Sequence, residues 1–246
     1  MRAAGTLWAL GRTAGDLLFP PVCVHCGAVV EGGGLRHLCA RCGALIVRVR
    51  PPHCDLCGRP FDGEAAENRR CPQCAETPAA FDAGRTCVLL QGPGRSLVHT
   101  LKYHRGVYVL ADVAAIARTT PGLPGYLRGA RLVPVPLHPR KERERGYNQS
   151  RLLAGAFADA AGPGTVVAEL LRRVVDTPSQ TALDRRTRQE NLKNAFALRK
   201  GVAINPTDHL ILVDDVYTTG STLNACAAAL RHAGCVNLGV VTFGHG

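Results

Sequence analysis

The sequence predicts an α/β protein built on an open parallel sheet and preceded by a small module held together by metal. Three observations predict it. From about Phe81 onward, short apolar runs alternate with helical stretches. Ahead of that point, eight of the eleven cysteines fall into four C-x-x-C pairs. Near the C-terminal end, a wholly apolar strand stops at two adjacent aspartates followed by a loop of small residues. A length of 246 residues suffices for one sizeable core plus an accessory module, divided as residues 1–80 and 81–246.

The first stretch, Met1 to Phe19, carries Arg2 and an apolar patch around Trp8 and Leu10. Arg12 and Asp16 interrupt it, and Pro20-Pro21 closes it without a small-residue cleavage site, so it reads as a short helix and not as a signal peptide. No apolar run approaches the length of a membrane span. Together these features predict a cytoplasmic protein. A hydrophobic share of 46% with 20% charged residues excludes a disordered chain.

The cysteine pairs are Cys23/Cys26, Cys39/Cys42, Cys54/Cys57 and Cys71/Cys74. Two sulfurs three positions apart on a tight turn reach one tetrahedral ion, and two such turns complete a four-thiolate site. Twelve residues separate the first two pairs and thirteen the last two, room for one short hairpin each. Gly27, Gly43 and Gly58 directly follow three of the pairs and ease the turns. Disulfides are the alternative, disfavoured in a chain that shows no secretory signal. A redox-active C-x-x-C is disfavoured too, because such motifs open a helix in a single-motif fold. The reading is a double zinc ribbon with two structural Zn²⁺ ions. Sequential pairing is preferred, but spacing leaves a crossed arrangement open. His25, His37 and His53 read as surface residues and not as ligands. Four sulfurs leave no open position for water, so the zinc is structural, supplying stability that an 80-residue piece with few large apolar residues lacks.

Beyond Phe81, strands are expected at Thr86–Leu90, Leu132–Val135, Val166–Leu170, Leu210–Val213 and Val236–Phe243. Helices are expected at Ser96–Tyr103, Tyr108–Arg118, Gln149–Ala161 and Ser221–His232, with a turn at Pro121–Gly125. Charge is uneven: the chain carries +11, of which +9 lies in residues 81–246 and +6 between Arg140 and Lys200. A cationic cluster this local suits phosphates, pyrophosphate or nucleic acid.

The most informative segment runs from Leu210 to Thr222, Leu-Ile-Leu-Val-Asp214-Asp215-Val216-Tyr217-Thr218-Thr219-Gly220-Ser221-Thr222. Carboxylates at the carboxyl end of a parallel strand sit where open α/β sheets bind ligands. Paired charges there need hydroxyls, a cation or an amine to satisfy them. The loop that follows offers backbone N–H groups and hydroxyls at a helix N-terminus, a phosphate cradle, and Gly220 lets the backbone approach the anion.

This segment resembles the signature by which type I phosphoribosyltransferases bind 5-phosphoribosyl-1-pyrophosphate (PRPP). With the four C-x-x-C pairs in front, the chain resembles specifically the ComF family, the competence-protein and amidophosphoribosyltransferase-like group. Leu17–Cys23, Leu101-Lys-Tyr-His-Arg-Gly106, Val133-Pro-Val-Pro-Leu137, Arg145-Gly-Tyr-Asn-Gln149 and Asn191-Leu-Lys-Asn-Ala-Phe196 resemble it as well. The resemblance implies a Rossmann-like type I phosphoribosyltransferase domain. It implies that Asp214 and Asp215 hold the ribose hydroxyls, directly or with Mg²⁺, and that Thr218 to Thr222 bind the 5-phosphate, with Val216 and Tyr217 in the same signature. The loop after Val133–Pro136 would be the pyrophosphate loop, making Arg140, Arg145, Asn148 and Gln149 candidates. The polar stretch Asp176–Asn191 would be the closing loop, bringing Arg185, Arg186 and Arg188 to the departing pyrophosphate. The implied function is Mg²⁺-dependent phosphoribosyl transfer to an acceptor that the sequence does not identify. The alternatives are a PRPP-binding protein without catalysis and a competence factor handling single-stranded DNA, its partners being DNA or a DNA-uptake or recombination protein. No N-terminal amide-hydrolysing cysteine is present, which excludes a complete glutamine-dependent amidotransferase.

Overall fold

The structure, a computed structural model, describes residues 19–61, 67–76, 78–174 and 195–246. Seven strands are defined among them: β1 (Ala83–Leu89), β2 (Arg131–Pro134), β3 (Val166–Val167), β4 (Leu171–Arg173), β5 (Phe196–Leu198), β6 (His209–Tyr217) and β7 (Asn237–His245). Five form one parallel sheet in the order β1-β7-β6-β2-β3, and β4 pairs with β5 antiparallel. The helices are α1 (Ala40–Ala44), α2 (Pro72–Ala75), α3 (Gly92–Tyr103), α4 (Leu110–Thr119), α5 (Leu123–Leu127), α6 (Pro139–Arg145), α7 (Gln149–Ala161) and α8 (Ser221–His232).

After His209 the central strand β6 carries four consecutive apolar residues, Leu210 to Val213, that are fully shielded from solvent. That is the pattern of a parallel strand covered on both faces. Alternation divides its side chains. Ile211 and Val213 join Val241 and Phe243 in a core formed with α3, α4, α5 and α7. Leu210 and Leu212 join Leu238 and Val240 in a second core with α8, Leu171 and Phe196. Helices α7 and α8 therefore cover opposite faces, and their crossovers run outward in opposite directions, from β2 to β3 and from β6 to β7. The crevice between β2 and β6 is thus the switch point of the sheet, where open α/β folds place their ligands.

Helices α7 and α8 have the bounds expected from sequence. Elsewhere the structure corrects the reading. Strand β6 continues to Tyr217 because Asp214, Val216 and Tyr217 still pair with Thr242, Gly244 and His245 of β7. Part of the expected turn at Pro121–Gly125 lies in α5, entered through a proline in its first turn. The third parallel strand stops at Val167. The basic run after Pro139 forms α6, which buries no residue and ends at Gly146 in a left-handed conformation (φ +88°). The expected N-terminal helix and the expected closing loop, with Arg185, Arg186 and Arg188, lie outside the described residues.

The two ribbons close over the β1 edge of the sheet, one on each face. Cys23, Val30, Leu38, Cys42 and Ile46 belong to the first core, and Cys54, Leu56, Cys57, Cys71, Cys74 and Phe81 to the second. The segment joining them pairs with β1 as an antiparallel edge: Val49 N–H donates to Cys87 (2.9 Å) and Leu89 N–H to Val47 (2.9 Å). An open edge strand is an aggregation hazard, and this pairing covers it.

Candidate functional site

At the crevice, Asp214 and Asp215 stand side by side near the end of β6. Asp215 is 5% exposed; its carboxylate accepts from the Lys102 ammonium at 2.8 Å and from the Gln149 amide at 3.2 Å. Asp214 accepts from the Ser150 hydroxyl (2.9 Å) and from the Asp215 N–H (2.9 Å). Its cation partner is therefore second-hand, through its neighbour. Burial, and then the adjacent Asp215 charge, push the Asp214 carboxyl up to about 7. One carboxylate is thus neutralised in place, while the other gains its negative charge near neutrality.

Asn148, Gln149 and Ser150 reach this point because α7 starts beside the end of β2. Asn148 caps that helix, accepting from Ser150 N–H (3.0 Å), and its amide donates to the Val135 carbonyl (3.0 Å). One polar end therefore caps α7 and the other ties it to the residue that follows β2. Gln149 bridges two charged groups, donating to Asp215 and accepting from Arg145. The Arg145 guanidinium also lies over the Tyr103 ring, 5.9 Å from its centre. Arg140 sits on exposed α6, 3.9 Å from Glu144. The structure thus joins Arg145, Gln149, Asp215 and Asp214 in one network and leaves Arg140 at its rim.

Lys102 and Ser150 complete the network but were not singled out by sequence. Lys102 lies in the Leu101–Gly106 stretch and Ser150 directly follows Gln149, so both adjoin segments that carry the family resemblance. Their role depends on the last turn of α3 and the first turn of α7 meeting at β6, a tertiary fact.

After Tyr217 the chain turns through Thr218 and Thr219 to Gly220, whose φ of +73° is left-handed. Gly220 is the N-cap of α8 and offers no side-chain cap; the first turn has no acidic residue, and Ser221 N–H donates to the Thr219 hydroxyl at 3.4 Å. Thr219 and Ser221 hydroxyls are 2.9 Å apart at its mouth. A twelve-residue helix with an uncapped, hydroxyl-lined N-terminus favours an anion.

The cysteines resolve into two clusters, Cys23/Cys26/Cys39/Cys42 and Cys54/Cys57/Cys71/Cys74, with each set of sulfurs within 4.8 Å of one another. The pairing is the sequential one. Tetrahedral zinc with bonds of about 2.3 Å places its sulfurs about 3.8 Å apart. The Cys26–Cys39 and Cys57–Cys71 sulfurs lie at 3.8 and 3.9 Å, so both clusters fit Zn²⁺. In each, the first pair forms a turn with a left-handed glycine, Gly27 or Gly58, and the second begins or precedes a short helix. Gly43 lies inside α1 and serves no such turn. Of the three nearby histidines, none belongs to either cluster, and His53 is buried, contrary to the expectation of a surface position.

Residues 14–75 match the family model of the double zinc ribbon domain. The chain is 33% identical over 233 residues to the DNA utilization protein YhgH of Salmonella typhi, covering 91% of this chain and 96% of that one. It is 29% identical over 222 residues to competence protein F of Haemophilus influenzae, covering 86% and 91%. Over 111 residues, 42% of this chain, it is 32% identical to competence protein ComFC of Bacillus subtilis. Among the described residues no helix is long and apolar enough to cross a membrane. With two four-cysteine zinc sites ahead of a parallel-sheet domain, and near-full-length similarity to these proteins, the chain belongs to the ComF family of competence and DNA-utilization proteins.

Proposed function

We propose that the crevice between β2 and β6 binds PRPP and supports transfer of its phosphoribosyl group. The carrying observation is the Asp214–Asp215 pair at the switch point, partnered by Lys102, Gln149 and Ser150 and followed at once by the uncapped start of α8. Asp214 and Asp215 take the ribose hydroxyls, and the amides and hydroxyls of Thr218 to Thr222 take the 5-phosphate. Residues Arg140 and Arg145 face the pyrophosphate, with Arg185 and Arg188 from the stretch outside the described residues.

Asp214 fits a divalent cation, because among the described residues it accepts only from a hydroxyl and a backbone N–H and titrates near neutrality. Bound with PRPP, Mg²⁺ supplies positive charge to the polyanion. The chain's own residues hold the sugar and its charges in place. In the transfer, the bond from the anomeric carbon to pyrophosphate oxygen breaks with its electron pair leaving on pyrophosphate. The acceptor's lone pair forms the new bond, and the acceptor gives up a proton. Positioning and electrostatics carry such a displacement, and no side-chain nucleophile is needed. Calorimetric titration of Mg²⁺–PRPP tests the site: binding is expected in the wild type and lost in a folded Asp214→Asn/Asp215→Asn variant. Absence of wild-type binding overturns the reading.

A second reading, single-stranded DNA handling, rests on a surface beside the crevice. Tyr103 is 66% exposed and lies against His99, which also meets His104, with Arg145 over the tyrosine ring. Exposed rings among cations suit unstacked bases, and relatives carry names in DNA utilization and competence. Mobility shifts of a labelled oligonucleotide should then weaken with salt and with Tyr103→Ala.

A further inference from the structure

The second zinc site lies directly under the loop that follows β6. The Tyr217 side chain is buried in the core that holds Cys74, and the two residues line one cavity together with Gly220. The Tyr217 hydroxyl lies 2.4 Å from where a β-carbon at Gly220 would stand, so ring and glycine are in close contact. His245 stacks on the ring from β7, centre to centre 5.4 Å at an interplanar angle of 20°. Tyr217 is therefore a wedge: one side of it packs in the core around a zinc ligand, another meets the backbone of the turn into α8. Two further links join the same parts. The Asn224 side chain in α8 accepts from Ala80 N–H (2.7 Å), and Arg231 of α8 donates to the Ala80 carbonyl (2.8 Å). Among the described residues ribbon one has no counterpart to these links; its side-chain hydrogen bonds run to α3 and α4, through His25–Ser96 and Asp112.

We propose that Tyr217 is a positioning residue that couples occupancy of the second zinc site to the shape of the phosphate-binding loop. The groups packed around a metal site orient its ligands, and the effect is mutual: a zinc-held Cys74 limits where the ring can sit, and the ring fixes Gly220. Loss of zinc from ribbon two frees Cys74 and with it the floor of the turn. Loss from ribbon one leaves that floor in place. The ligand class that senses the zinc is the 5-phosphate of a phosphoribosyl compound, so this inference rests on the PRPP reading above. Coupling of this kind is reciprocal, so the ligand must also be felt at the metal.

The test uses the full chain loaded with Co²⁺ in place of Zn²⁺, whose sulfur-to-metal absorption reports on the thiolates. Mg²⁺–PRPP is expected to alter that absorption in the wild type and not in Tyr217→Phe, which keeps both metals but binds Mg²⁺–PRPP about tenfold more weakly. Bound PRPP with an unaltered spectrum, or with equal changes in both proteins, overturns the coupling and leaves the PRPP reading standing. Amide hydrogen exchange of Thr218 to Thr222 in the zinc-loaded protein supplies the arm that needs no ligand. Exchange is expected to quicken about tenfold in Tyr217→Phe and to stay unchanged in Cys26→Ser. If PRPP fails to bind while exchange quickens, the PRPP reading falls and the linkage between metal site and loop stands. Unchanged exchange in Tyr217→Phe overturns the linkage itself.

Discussion

The two ribbons are near-copies in cysteine spacing, yet they have different surroundings and do different work. In ribbon one, Cys26 is exposed and Cys39 half-buried; in ribbon two all four cysteines are buried. Ribbon one hangs on helices, and the carboxylate of buried Asp112 in α4 takes the N–H groups of Arg36 (2.6 Å) and His37 (2.7 Å). Ribbon two is fused to the sheet: Gly84 N–H of β1 donates to Asp55 (2.7 Å) and the Thr86 hydroxyl to Cys57 (3.2 Å). A duplicated motif is therefore hydrogen-bonded to helices on one face and to the edge strand of the sheet on the other. What differs is the neighbour each copy meets, not the metal chemistry.

The largest expected effect follows from that burial. Cys71→Ser removes a zinc ligand inside the second core, and the expected loss is about 4 kcal/mol or more, as for other lost metal sites. Cys26→Ser, at the exposed end of ribbon one, should cost clearly less. Urea unfolding of the two variants, with zinc content measured on each, makes the comparison; equal losses would break it. Next in size is Gly84→Ala. A β-carbon there would stand 2.1 Å from the Leu56 carbonyl oxygen, a backbone atom of ribbon two that cannot swing aside. The expected cost is about 3 kcal/mol. Its counterpart, Gly43→Ala within α1, meets only a Leu35 methyl at 3.4 Å and should be neutral or stabilising by up to about 1 kcal/mol.

Why one ribbon and not the other borders the site was illegible in the sequence. Spacing alone identified the eight ligands, because two turns of thiolates around one ion is a local constraint. The strand, acid pair and loop from Leu210 to Thr222 were legible for the same reason: apolar run, carboxylates and small residues are consecutive. Lys102 and Ser150 were not, since each acquires its partner across more than sixty positions of chain. Nor was the packing of Tyr217 beside Cys74, which depends on ribbon two folding back over the β1 edge. The helix α6 hid behind its composition: seven residues of proline, charge and nothing apolar carry no periodicity to read.

Asp112→Asn is a smaller probe, aimed at ribbon one alone. Asparagine keeps one acceptor oxygen, loses the charge and puts a donor where Arg36 or His37 already points one. The expected cost is about 2 kcal/mol, the range for hydrogen bonds to a charged group. Mg²⁺–PRPP affinity should be unchanged, since the loop beside α8 is held by the other ribbon. A fall in affinity matching that of Tyr217→Phe would erase the distinction between the ribbons.

The smallest effect is one of pH, and it separates the carboxylate that holds ribbon one from the carboxylate that serves the site. Asp214 is raised to about 7 from the ordinary carboxylate value. Between about pH 4 and pH 7 the folded protein keeps a proton that the unfolded chain has released, so its contribution to stability declines as pH rises through that window. The penalty is complete above 7. Asp214→Asn removes it, so the variant should gain stability relative to wild type at pH 8 and show no such gain at pH 4. At roughly 1.4 kcal/mol per pH unit an unscreened group would contribute about 4 kcal/mol over this window; because Asp214 is only partly buried, the expected gain is discounted to about 1–2 kcal/mol. Zinc binding also varies with pH, but wild type and variant share both zinc sites, and taking their difference at each pH cancels it. The same proton opposes a cationic ligand: Mg²⁺–PRPP should bind more tightly as pH rises through about 7, in wild type and in Asp112→Asn alike, and this dependence should flatten in Asp214→Asn. A pH profile that survives Asp214→Asn would move the titrating group off β6 and away from the crevice.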